Sequence, residues 1–371
     1  MPENDSHGEF IFLVSELYRY THDRALLEAM WPHVEAAASY METLRQSERS
    51  ATNLVPERRA FYGLLPASIS HEGYAAKPMH SYWDDFWALK GYAEAVAISR
   101  VLGHQEATTR LTRQRDEFRH DLYASLAAST AAHGIAYMPG CAELGDFDAT
   151  ATTIALDPVG EQAHLPQAML LATFERYWQA FVARRDGVTP WDDYTPYELR
   201  TVGTFVRLGW RQRAQELLDF FFAGQRPPGW NQWAEVVGRD LRQPRFVGDM
   251  PHGWVASDFI RSALDLFAYE READSALVLA AGLPRQWLEG EGVAVENLRT
   301  PYGRLSYTLH SQGRRLLLKV AAGLQPPPGG LVFVWPGALP ASSTLLNGTP
   351  VSWQGTELRM YQLPAEVSVG D

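Results

Sequence analysis

Cysteine is almost missing from this chain: Cys141 is the only one in 371 residues. No internal disulfide can form, and no thiolate cage can hold a metal. A reducing compartment fits this, as does a cysteine-poor exported protein. Long apolar runs are missing too, and none approaches the roughly 20 residues needed to span a bilayer. The opening Met1-Pro2-Glu3-Asn4-Asp5-Ser6-His7 has neither the basic nor the apolar region of a signal peptide, so a soluble chain is expected. Cations are in deficit, with 33 Lys and Arg against 44 Asp and Glu and a net charge of −11. That balance argues against nucleic acid or an anionic membrane as the main partner. Glycine-rich phosphate loops are absent, as is Gly-x-Ser-x-Gly, so neither a nucleotide site nor a nucleophile elbow is supported. No cofactor is expected.

Aromatics, by contrast, are plentiful: 12 Trp, 16 Tyr and 16 Phe. They gather with acids in His80-Ser81-Tyr82-Trp83-Asp84-Asp85-Phe86-Trp87, which runs into an apolar helix. Carboxylates in a first helical turn can simply answer the exposed N–H groups and the macrodipole. Tyr82, Trp83 and Trp87 interleaved with Asp84 and Asp85 also suit a site that stacks sugar rings and moves protons with carboxyls.

The chain length suggests about two domains. Residues 9–22 read as a helix apolar nearly all round, capped by Asn4-Asp5-Ser6, and 23–47 as an amphipathic partner. The pattern recurs: 82–102 with 105–131, a short helix ending near Leu156 with 166–184, then 194–208 with 211–223, then 251–269 with 270–281. These are five helical hairpins without sequence identity. In each, an aromatic-rich loop precedes the buried helix, so those loops gather at one end, where function tends to concentrate. After Pro284 short runs such as Leu305-Ser306-Tyr307-Thr308-Leu309 and Leu331-Val332-Phe333-Val334 alternate with Gly, Pro and Asn turns, which predicts a small antiparallel β-sandwich. The expected organisation is a mostly α domain over 1–284 and a β-domain over 285–371.

Hairpins in series with acidic, aromatic loops at one end and a β-domain behind resemble the (α/α)6 barrels of the six-hairpin glycosidase superfamily, which includes glucoamylases, trehalases and α-L-rhamnosidases. Thr300-Pro301-Tyr302-Gly303-Arg304-Leu305-Ser306-Tyr307 and Leu346-Asn347-Gly348 look most like the C-terminal sandwich of rhamnosidase-type members. The resemblance covers essentially the whole chain. A closed toroid needs six hairpins and five are found, so the chain reads as the C-terminal part of a longer enzyme.

The resemblance implies a general acid near the start of the third inner helix, where Trp83-Asp84-Asp85-Phe86 falls, and a general base in the loop before the last. That loop holds Glu235 between Trp230, Trp233 and Trp254. Asp84 is expected as acid, Glu235 as base and Asp85 as a ligand of a sugar hydroxyl; Asp85 and Glu198 remain alternatives for the acid. Inversion needs the two carboxyls about 6.5–9.5 Å apart. Asp148, Trp191, Asp193, Glu198, Asp249 and His252 are candidate substrate ligands. For Asp148 helix capping is the competing role, and for His252 capping or packing. His80 and Asp84 have i, i+4 spacing, but no third ligand is evident and no metal is expected. Arg184-Arg185 reads as solvated charge.

The function these features imply is inverting hydrolysis of a neutral oligo- or polysaccharide. A toroid-type polysaccharide lyase or a phosphorylase needs cations on these loops, which offer few besides Lys77 and Arg200. A binding fragment that keeps its tryptophan platforms without turnover is the remaining alternative. Oligomeric state is left open by the sequence.

Overall fold

The computed structural model describes residues 3–71, 73–240, 250–313, 315–337 and 343–370. Two compact units divide at 177/178, within helix α6. Among the described residues no helix is long and apolar enough to cross a membrane.

In the first unit α1 (Ser6–Thr21) turns through His22, in the left-handed region, into α2 (Arg24–Glu48), whose first turn is capped by Asp23 accepting from the Leu26 N–H. Two short 3-10 turns and a loop lead to α3 (Tyr82–Leu102), which Gly103 terminates in the left-handed conformation. Its partner α4 (Gln105–His133) ends in the same way at Gly134. Then come α5 (Ala149–Thr152), extended by a 3-10 turn, and α6 (Gln167–Arg185). These helices match the expected segments closely.

Helix α3 is buried on nearly every side, with α1, α2 and α4 against it. Its approach to α1 is close because both helices present glycine there. A Cβ on Gly8 would stand 2.1 Å from the Trp87 carbonyl oxygen, and one on Gly91 2.7 Å from the Gly8 Cα. Backbone cannot yield as a side chain can, so Gly8→Ala is expected to lower stability by about 1–3 kcal/mol or more. The check is the midpoint of urea unfolding; an unchanged midpoint would mean the crossing is looser than these distances.

The second unit begins with the end of α6 and continues through β1 (Asp193–Tyr194), a 3-10 turn at Pro196–Leu199, α7 (Arg200–Arg207), α8 (Arg211–Ala223), β2 (Val237–Gly238) and α9 (Gly253–Phe267). Here the structure corrects one expectation. Among the described residues no α-helix follows α9; Ala268 is extended, and the chain forms β3 (Ala268–Arg271) and β4 (Ala276–Leu279). Ala276-Leu277-Val278-Leu279 is buried at every position, paired with β3 on one side and parallel to the strand Leu331–Val334 on the other. A four-residue apolar run enclosed on both faces suits an interior strand and leaves no polar face for an outer helix.

The remaining strands are β5 (Val293–Thr300), β6 (Gly303–Gln312), β7 (Arg315–Val320), β8 (Leu331–Val334), β9 (Ser343–Leu346), β10 (Thr349–Pro350), β11 (Glu357–Met360) and β12 (Ala365–Gly370). They make a four-stranded sheet in the order β11-β8-β4-β3 and a six-stranded sheet in the order β10-β9-β12-β7-β6-β5. Asn347 and Gly348, both at positive φ, form the two-residue turn between β9 and β10.

Candidate functional site

The acid–aromatic segment at the start of α3 is not held the way an ordinary first turn is. Asp84 is 1% exposed and accepts from two serines of the preceding loop, Ser68 at Oδ2 and Ser70 at Oδ1, 2.8 Å away. Asp85 is fully buried; its Oδ1 accepts from the Leu65 N–H at 2.9 Å, and its Oδ2 has no partner among the described residues. Neither side chain serves as the helix's own cap. The expected cap of α1 is diverted as well: the Asp5 carboxylate accepts from the Trp83 indole at 2.9 Å, and the Asn4 amide donates to the Pro66 carbonyl.

Burial pushes the Asp84 carboxyl up to about 7, and nearby Asp5 adds to the rise, while Ser68, Ser70 and the Asn4 N–H oppose it. Burial also raises Asp85 well above the carboxylate range, with the Asp84 charge contributing. Asp84 is therefore a carboxyl that carries a proton near neutrality. Asp85 anchors the Leu65 loop through its Oδ1.

The surrounding aromatics are mostly interior. The Tyr82 hydroxyl pairs with Ser125 of α4 at 2.8 Å, pointing it away from any rim. Trp83, 3% exposed, stands edge-on to His71 and to Trp87. Trp87 is 7% exposed, and its indole N–H has no partner among the described residues. His71 Nε2 lies 4.0 Å from Asp148 Oδ2, while Asp148 Oδ1 caps α5 through the Ala151 N–H, as the capping alternative had it. His80 is enclosed between acids: Nδ1 is 2.6 Å from Glu143 and Nε2 3.6 Å from Glu48. Burial pulls its pKa down, but the two carboxylates outweigh that and bring it to about 9. It is a cation at neutral pH, hydrogen-bonded to Glu143 through Nδ1 and ion-paired with Glu48 through Nε2.

In the second unit the β1–β2 ladder does the positioning. Tyr194 pairs with Val237, so Tyr197 and Glu235, just beyond the rungs, come together. The Tyr197 hydroxyl donates to Glu235 Oε1 at 3.3 Å, and Glu235 is half-buried. Tyr197 is edge-on to both His252 and Trp254, and the Arg200 guanidinium lies 5.0 Å from its ring centre. Arg200 Nε donates to Asp258 at 2.8 Å; burial raises Asp258, and Arg200 opposes the rise. His252 caps α9 by accepting from the Val255 N–H. Trp230 and Trp254 are 63% and 45% exposed, and the Arg200 guanidinium lies 5.6 Å from the Trp254 ring centre.

Three expectations here need correcting. Trp233 is 2% exposed and donates its indole N–H to the Phe221 carbonyl, so it is core and not a platform. Glu198 accepts a two-pronged bond from Arg184 at 2.7 and 2.6 Å, which occupies both carboxyl oxygens and disqualifies it as a free acid. By the same contact Arg184 is not solvated charge; it also lies over Tyr194 and Phe220. Trp191 is half-buried against Tyr194, and Asp193 is exposed on β1. Asp249 lies outside the described residues.

Sequence reasoning missed Ser68, Ser70 and Asp5 around Asp84, and the Tyr197 contact to Glu235. Ser68-Ile69-Ser70 carries no motif; only the folding of its loop onto α3 gives it a role.

No protein family and no curated protein sequence matches the chain. Solved structures do resemble it in fold. An α-L-rhamnosidase from Dictyoglumus thermophilum aligns over 100% of this chain and 40% of its own at 9% identity, with a TM-score of 0.56. An α-L-rhamnosidase from Streptomyces avermitilis, solved with L-rhamnose, aligns over 95% of this chain and 32% of its own at 15% identity, with a TM-score of 0.50. The chain spans less than half the length of either. At these identities the likeness is one of fold, and the fold is one carried by glycoside hydrolases.

Proposed function

We propose that this chain is the catalytic portion of an inverting glycoside hydrolase acting on neutral glycosides, with Asp84 as general acid and Glu235 as general base. The observation that carries the reading is the state of Asp84: a carboxyl held protonated near pH 7 by burial, beside aromatic side chains. Retaining the proton at working pH is what a general acid needs. Glu235 brings the complementary features, being half-buried and in contact with the hydroxyl of Tyr197, whose ring stands edge-on to Trp254. In this mechanism Asp84 protonates the leaving oxygen while Glu235 takes a proton from water attacking the opposite face of the sugar. Trp230 and Trp254 stack on sugar faces, and His252 orients hydroxyls.

α-L-Rhamnosides are the first substrates to try, because the fold neighbours are α-L-rhamnosidases. Incubation with p-nitrophenyl α-L-rhamnoside and a panel of other neutral aryl glycosides, followed by proton NMR, is expected to give first-formed sugar of inverted anomeric configuration. Retained configuration would overturn the mechanism. Binding of sugars without hydrolysis of any glycoside would favour the second reading, a binding fragment, which the exposure of Trp230 and Trp254 and the partial span of the chain support.

A further inference from the structure

Asp84 is enclosed by three serines that never meet solvent: Ser68 and Ser70 are 0% exposed and Ser81 2%. Ser70, at φ 52°, donates its backbone N–H to Ser68 Oγ at 2.7 Å. Its own hydroxyl oxygen lies 2.8 Å from Asp84 Oδ1 and 3.0 Å from Ser81 Oγ. A hydroxyl has one hydrogen, so Ser70 cannot donate to both at once. With Asp84 ionised, Ser70 donates to the carboxylate and its bond to Ser81 goes unmade. With Asp84 protonated, the carboxyl donates to Ser70 and Ser70 donates to Ser81.

We propose that Ser70 and Ser81 form a hydroxyl relay in which Ser70 donates to Asp84 when the carboxyl is ionised and to Ser81 when it is protonated, which makes both serines positioning residues for that carboxyl. The catalytic consequence rests on Asp84 being the general acid; the relay itself does not. The charged and titratable groups around Asp84 are Asp5 at the start of α1, Asp85 on its own helix, His80 and Glu143 near Asp85, and His71 with Asp148 beside Trp83. All of them are unchanged in the serine variants.

The two serines pull in opposite directions. Removing the Ser70 hydroxyl withdraws a donor from the carboxylate, and a bond to the charged form is the stronger one lost, so the proton is held more tightly. Removing the Ser81 hydroxyl withdraws the acceptor that the protonated arrangement needs. It strands the Ser70 hydrogen only when Asp84 is protonated, so the proton is held less tightly. General loosening of the packing has no reason to move the two variants apart.

The test is carbon-13 NMR of the full chain labelled at aspartate Cγ, with the Asp84 signal assigned by its loss in Asp84→Asn. Ser70→Gly, which suits the positive φ, is expected to titrate about one pH unit above the unsubstituted chain, and Ser81→Ala about one unit below. Ser81→Thr keeps the hydroxyl and is expected to titrate like the unsubstituted chain. Shifts of the same sign, or none, overturn the relay. Should Ser81→Ala fail to fold, Ser70→Gly decides alone, since an unchanged or lowered midpoint rejects the proposal. If glycosides are hydrolysed, the alkaline limb of kcat/KM follows these midpoints. A chain that titrates as described but cleaves no glycoside keeps the relay and loses the hydrolase reading.

Discussion

Asp84→Asn is expected to lower kcat/KM on glycosides with poor leaving groups by about 10²–10⁴-fold. The amide keeps the shape of the carboxyl and can still pair with Ser68 and Ser70, but it has no proton to give. On substrates whose leaving group departs without protonation, such as glycosyl fluorides, the loss should be far smaller. Glu235→Ala makes the converse case: its activity is expected to fall on every substrate and to recover with added azide, giving a glycosyl azide of inverted configuration. If Asp84→Asn suffers equally on all leaving groups, Asp84 is not the acid. The pH dependence has a fixed sign. Because burial brings Asp84 to about 7, the competent protonated form disappears as pH rises through that value, so kcat/KM falls on the alkaline side. The same shift couples to stability. The folded chain binds this proton more tightly than the unfolded one, whose carboxyl lies near 3.8, so the stability linked to it is complete below that pH and is lost as pH rises toward 7. Asp84→Asn is expected to flatten that slope.

Arg45→Ala is expected to cost about 3–5 kcal/mol of stability in the first unit. Arg45 is wholly buried, yet it sits among charges. Its Nη1 donates to both oxygens of Glu42 at 2.9 Å, and its Nη2 reaches Glu117 at 3.2 Å and Asp121 at 3.3 Å. Arg49 joins from the next turn to Asp121 and Glu117, and the Tyr92 hydroxyl donates to Glu42. The network ties α2 to α4 and to α3, the helix that carries Asp84. Deleting the guanidinium leaves Asp121, almost out of water, with Arg49, and Glu117 with Arg49 and Arg113, and it removes the ion-pair partner of Glu42. Arg45→Met combined with Glu42→Gln should recover part of the loss, because it removes charge from both sides. Urea unfolding at constant m measures both variants. A loss below about 1 kcal/mol would mean that water enters and solvates the acids.

Much of the helical portion was legible from sequence because its signals are local. Gly103 and Gly134 end α3 and α4, and apolar spacing marks the faces of α1 to α4. The acid–aromatic run was legible as the start of α3, but its burial was not: Tyr82, Trp83 and Trp87 were expected to meet sugar rings and are interior. What failed was the stretch after α9, where Ala276-Leu277-Val278-Leu279 carries no period that separates a short strand from a buried helical turn. Its fate is set by β8, more than fifty residues later.

By itself, then, the sequence determined the chemical inventory: one thiol, an acidic balance, abundant tryptophan and the acid–aromatic start of α3. It also determined the local elements whose caps and periods lie within a few residues. Only the tertiary structure decided which side chains are exposed and which are already engaged. Tyr82 and Trp233 turned inward, Glu198 was taken by Arg184, and Ser68 and Ser70 closed on Asp84. The physical reason is that a carboxyl's proton affinity and an indole's availability depend on burial and on partners distant in sequence, and neither is encoded at the residue itself.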